Sequence, residues 1–153
     1  MRRQLVRFVG IILAMTLATT LAASPGYARN DLIALPVAEA VDSGLGQTKL
    51  LEIPFYLAGQ NHPAVERTVA SKLSSNKSTN AFGKGDSEAC NVAFLSAIIT
   101  LQNRARREGA DAVIDIKSVT SNQPFESASE YRCAVGNIVA KVHLIGTIVQ
   151  FKK

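Results

Sequence analysis

Apolar and polar positions along this chain change period several times, most sharply across residues 86–119. Gly85-Asp86-Ser87 supplies turn and N-cap chemistry, and Glu88 stands where the positive end of a helix dipole favours a carboxylate. From there the apolar positions Cys90, Val92, Ala93, Phe94, Leu95, Ala97, Ile98, Ile99 and Leu101 cover more than one stripe. That spread predicts a helix buried over most of its circumference. Its apolar part is shorter than the ~20 residues a bilayer span needs, and Asn91, Ser96 and Thr100 interrupt it. Polarity returns at Gln102-Asn103-Arg104; Arg104, Arg106 and Arg107 suit the last turns, and Gly109 the left-handed stop. Residues 110–119 then alternate, with Ala110, Ala112, Ile114 and Ile116 against Asp111, Asp115 and Lys117, as a strand with one face on a core does.

The flanking stretches carry weaker patterns. Residues 29–41 read as a loose amphipathic helix at the domain edge, and Ser43-Gly44-Leu45-Gly46 as a turn. Residues 49–57 read as a strand, placed at a sheet edge because Pro54 has no N–H to donate. Residues 65–73 alternate weakly, which favours a strand over a short helix, and residues 74–85 read as a polar loop. A second polar loop is expected over residues 121–130, and one long strand over residues 131–151. Its even positions are apolar or glycine, as a helix packed closely above them requires. Its odd positions include Val135, Val139, His143 and Ile145, greasier than a solvated face needs. A second copy of the chain, an envelope protein or the N-terminal segment is expected to cover them.

The N-terminus reads as an export signal. Arg2, Arg3 and Arg7 precede an apolar run over residues 8–23, and Gly26 and Ala28 occupy the −3 and −1 positions for cleavage after Ala28. The expected organisation is therefore a signal peptide over residues 1–28 and one domain over residues 29–153, periplasmic or secreted, with no stable membrane span after cleavage. The alternative is an uncleaved N-terminal anchor; a lipid attachment site would need a nearby cysteine, and there is none. Three of the 17 Lys and Arg leave with the leader and none of the 12 acids, so the charge falls from +5 to about +2. The basic balance of the whole chain is then no sign of a nucleic-acid partner.

Cys90 and Cys133 both lie in the exported part, where a disulfide is the default. The rival arrangements are two free thiols, or a Cys/His metal site with His62 or His143, for which no ligand spacing is present. Cys133 falls on the odd face of the last strand, whereas the helix should lie on the even one. A disulfide therefore requires a bulge near residues 134–136 or a cysteine lying before the regular ladder.

Residues 101–116 (LQNRARREGADAVIDI), with the Gly/Ala-rich last strand, residues 75–84 (SNKSTNAFGK) and Glu88-Ala89-Cys90, resemble small exported bacterial proteins of unknown function over nearly all of the exported chain. The helix, Gly-Ala and strand portion is more broadly similar to the YbjQ-like and RcsF-like domains. That resemblance implies an α+β fold, one main helix packed on a small antiparallel sheet of three to four strands. It also implies use of disulfides, as in the RcsF-like sensor, and oligomers, as in YbjQ-like proteins, which are sometimes called heavy-metal binding; this chain offers no matching ligands. Some proteins of this look carry names borrowed from an excinuclease ATPase subunit. A phosphate loop needs Gly-x-x-x-x-Gly-Lys-Ser/Thr; here Gly85 follows Gly83-Lys84, and Ser78 stands five positions before Gly83.

Little catalytic material is present. His143 reads as a strand-face residue or a pH-sensitive contact between subunits, and His62 as a turn residue. Asp111 and Asp115, four apart on a strand, stand ~13 Å apart, too far to act as a pair on one bond. Residues 80–87 lead into a helix N-terminus, which ordinary capping explains. The expectation is a non-enzymatic, disulfide-stapled envelope interaction module without cofactor or metal, with Val135, Val139, His143 and Ile145 as its interface. The alternative is a periplasmic protein that binds a small ligand or a metal.

Overall fold

With apolar side chains on nearly every side, residues 86–107 have no broad face to give to water, and they form the helix on which the rest packs. The computed structural model describes residues 28–153; apart from Ala28, the expected signal peptide lies outside the described residues. In chain order the elements are β1 (Asp31–Pro36), α1 (Val37–Asp42), α2 (Gly44–Lys49), β2 (Phe55–Leu57), β3 (Val65–Asn80), α3 (Asp86–Arg107), β4 (Ala112–Ser118), a 3-10 turn (Thr120–Asn122), β5 (Glu130–Val135) and β6 (Val139–Phe151). The fold is α+β, one main helix on a mixed sheet of six strands. The expected three to four antiparallel strands are too few, and β2 pairs with β4 in parallel.

β6 is the axis of the sheet. β3 runs antiparallel along its whole length, from Val65↔Phe151 to Asn80↔Val139. The opposite edge of β6 is shared: β5 pairs with Lys141 and Ala140, and β4 takes the stretch from Leu144 to Val149. β1 extends the sheet beyond β5, and β2 ends it beyond β4. Pro54 thus precedes an edge strand, as its missing N–H demands, and its carbonyl accepts from Val113 N at 3.0 Å.

Four boundaries depart from the sequence pattern. Residues 74–80, polar enough to read as a loop, continue β3, because unbroken pairing with β6 outweighs weak strand propensity. Residues 31–36 pair with β5 as a strand, and helix begins only at Val37. Residues 44–49 are helical, the next five belong to no helix or strand and bend at Glu52 and Ile53, and only Phe55–Leu57 pair. The last expected strand is two, β5 and β6, joined by a tight turn in which Gly136 N donates to Val139 O at 2.9 Å. A Cβ on Gly136 would stand 2.5 Å from the Arg29 carbonyl oxygen, so only glycine fits.

That turn also places Cys133. Chain reversal switches which parity faces inward: Tyr131, Cys133 and Val135 on β5, but Ala140, Val142, Leu144 and Ile148 on β6. No bulge is needed, and Cys90 of α3 bonds Cys133 with Cα atoms 5.8 Å apart. Beside the disulfide, the Phe94 ring stacks on Tyr131 with centroids 4.2 Å apart, and Tyr131 Oη donates to Asn91 Oδ1 at 2.6 Å.

α3 begins after Gly85, which offers no side-chain cap; Asp86 instead meets the Arg29 guanidinium. The helix ends as expected at Gly109, whose φ is +65°. Gln102, the first residue of the polar run that ends the helix, is buried. Its Oε1 accepts from Leu51 N at 3.1 Å, and its Nε2 donates to Leu51 O and Ile53 O at 3.2 and 2.7 Å. One amide thus satisfies three backbone groups of the irregular segment before β2.

Candidate functional site

α3 covers the inner face of the sheet, and the odd-numbered side chains of β6 point the other way. Toward the C-terminal end of this outer face, the His62 ring stacks on Phe151 at 6.1 Å and lies 5.7 Å from Tyr56. Further along β6 the face opens into a cleft of about 460 Å³ whose walls include Lys72, Ser74, Asp115, Lys117, His143 and Ile145.

Two bulges shape the cleft. Between the pairs Ala70↔Ile148 and Leu73↔Gly146, β3 sets two residues, Ser71 and Lys72, against Thr147 alone. Between Ile114↔Thr147 and Lys117↔Ile145, β4 sets Asp115 and Ile116 against Gly146 alone. Within these bulges Lys72 and Asp115 take left-handed backbone, with φ of 54° and 52°. Gly146, between them on β6, faces the helix side: a Cβ there would meet Val113 Cγ1 at 3.1 Å, Ile116 Cγ1 at 3.3 Å and Leu101 Cδ1 at 3.5 Å. Left-handed backbone at residues other than glycine costs ~1 kcal/mol or more each and tends to collect at functional surfaces.

The cleft carries more cationic than anionic groups. Lys117 Nζ lies 2.7 Å from Glu126 Oε1 and 3.6 Å from Asp115 Oδ1. The hydrogen bond to Glu126, more than the charge of Asp115, holds the Lys117 ammonium above its ordinary pKa. Among the described residues Lys72 makes no ion pair. His143 Nε2 lies 2.7 Å from Ser74 Oγ, a cross-strand pair between β6 and β3. Among the described hydrogen bonds none orients the other ring nitrogen of His143, so the pair lacks the third group of a nucleophilic triad. Asp111 accepts from Phe151 N at 2.9 Å, so the two strand carboxylates hold separate structural posts.

The four residues expected to form an interface do not share one surface. Val135 is wholly buried beside Cys133 beneath α3, because the turn at residues 136–138 reverses the facing; it cannot line a contact with another molecule. His143 and Ile145 line the cleft. Val139 is exposed at the far end of β6, beside Ile138. Pattern reading missed Lys72 and Ser74, since the pairing that brings them to His143 is long-range. Among the described residues no three His, Cys, Asp or Glu side chains gather as a metal site, and no helix is long and apolar enough to cross a membrane. No family model, no curated protein and no solved structure matches this chain.

Proposed function

We propose that this chain is a non-enzymatic interaction module of the bacterial envelope, exported by its N-terminal signal and stapled by Cys90–Cys133. It receives a protein partner, a second copy of itself included, on the outer face of its sheet. One observation carries the reading: two opposed bulges, each with a left-handed non-glycine residue, open that face around His143 and Ile145. The basic and apolar pattern of residues 1–28 supports export, and a buried disulfide suits an oxidising compartment. Light scattering on the chain from Arg29 onward, with and without Ile145→Lys, tests the self-association arm. A defined oligomer that dissociates while circular dichroism stays unchanged is the expected result; a monomer in both forms removes that arm and leaves an envelope protein as partner.

A second reading has its own observation. Lys72 projects a cation without an ion partner into a cleft of small-molecule size, beside a hydroxyl and an imidazole. A small carboxylate or phosphate is the ligand such a set would hold. A rise in melting temperature with a panel of organic anions, abolished by Lys72→Ala, is its signature.

A further inference from the structure

Among the described residues four large apolar side chains are exposed: Leu45, Phe82, Ile138 and Val139. The last three lie together at one end of the sheet. Asn80 pairs with Val139, and Ala81 N donates to the Ile138 carbonyl at 2.7 Å, so the β3–α3 turn and the β5–β6 turn stand side by side. Phe82 is 75% exposed and Ile138 67% exposed, at the tips of those turns. Both turns are held in place. Phe82 N donates to Asn80 Oδ1 at 2.9 Å, Gly83 supplies a φ of +74°, and Gly136 N closes on Val139 O. A fixed loop that offers its largest side chains to water gains nothing from them in the isolated fold.

The surroundings point to lipid. Lys84 follows Phe82, its Nζ 3.1 Å from the Asn80 carbonyl, and Lys141 shares a hollow with Ile138, Val139, Arg29 and Ala28. A stable protein interface takes about 800 Å² from each partner. A tip of three side chains is far smaller, but it has the make-up of a shallow membrane anchor: aromatic and aliphatic groups for the acyl boundary, and lysines whose stems keep their charge among headgroups.

We propose that the paired turns carrying Phe82, Ile138 and Val139 form a membrane-contact tip, which inserts into the interfacial layer of a bilayer with Lys84 and Lys141 at headgroup level. The inference needs a membrane within reach, as the envelope reading supplies, and is independent of the cleft.

The chain contains no tryptophan, so Phe82→Trp gives a single reporter. The chain from Arg29 onward, which holds every described element, is mixed with phosphatidylglycerol/phosphatidylethanolamine vesicles and with phosphatidylcholine vesicles. The expected result is a blue-shifted emission quenched by shallow brominated lipid, stronger on the anionic vesicles. Phe82→Asp with Ile138→Asp should lower co-sedimentation of the otherwise unchanged chain about tenfold or more. These sites are exposed, and circular dichroism checks the fold. Unshifted emission on both vesicle types, or equal sedimentation of the double variant, overturns the proposal. Ile145→Lys in the cleft should leave vesicle binding unchanged; if it abolishes binding, the tip is not the contact, whereas loss of self-association alone bears only on the cleft.

Discussion

Lys72 and Asp115 flank β6, one bulged against Thr147 and the other against Gly146, and both hold left-handed backbone. Glycine would adopt either conformation without a Cβ clash. Lys72→Gly and Asp115→Gly should therefore each raise the free energy of unfolding by up to about 1 kcal/mol, read from urea midpoints. Lys72→Ala keeps the strain and should leave stability nearly unchanged. Loss of anion or partner binding in both Lys72 variants, with a gain in stability in Lys72→Gly alone, would separate the work of the ammonium from that of the backbone.

The disulfide closes a loop between residues 43 apart in sequence and joins α3 to β5. In the chain-entropy model such a loop stabilises by about 4 kcal/mol. Cys90→Ala with Cys133→Ala should lower the urea midpoint accordingly, and reductant should produce the same loss in the parent chain but none in the double variant. A parent chain with two titratable thiols before reduction would contradict the bond.

Gln102 holds the irregular segment before β2 against the helix. Gln102→Leu removes the amide and leaves the Leu51 N–H and two carbonyls without their partner. A buried group left unpaired costs about 1–3 kcal/mol. The expected variant is destabilised by at least that, and hydrogen exchange at Leu51 accelerates before exchange in β6 does.

Burial, with a smaller effect from the Glu39 charge, pushes the Tyr131 hydroxyl well above its ordinary pKa of 10.0. The folded state thus holds this proton more tightly than the unfolded state does. Below the unfolded value both states keep the proton and stability is undiminished; above it the unfolded chain ionises first, and stability falls as pH rises. Melting temperature should drop from about pH 10 upward. Tyr131→Phe should blunt that drop while lowering stability at neutral pH, because the bond to Asn91 is lost.

Helix and strand near the centre were legible because their apolar periods are strong and local. α3 begins at Asp86 and gives way at Gly109, and β4 follows within residues 110–119. Residues 74–80 were not legible, because Ser, Asn and Thr become strand only where β6 supplies a ladder. Of the cleft, His143 and Ile145 could be singled out as too apolar or too titratable for a solvated face. Lys72, Ser74 and Asp115 could not be joined to them, since no local signal fixes how a bulge aligns two strands.

What the sequence alone determined is what a single segment can carry: the class of fold, the main helix and its stop, the edge position before β2, and the two cysteines available to pair. Tertiary structure decided the rest, through register. A turn of three residues turned Cys133 and Val135 inward, which makes the disulfide possible and removes Val135 from any outer surface. The same turn set Ile138 beside Ala81 and so brought Ile138 and Val139 next to Phe82, which is distant in the chain. Side-chain facing in a strand has a period of two, so one reversal or one bulge reassigns every residue beyond it.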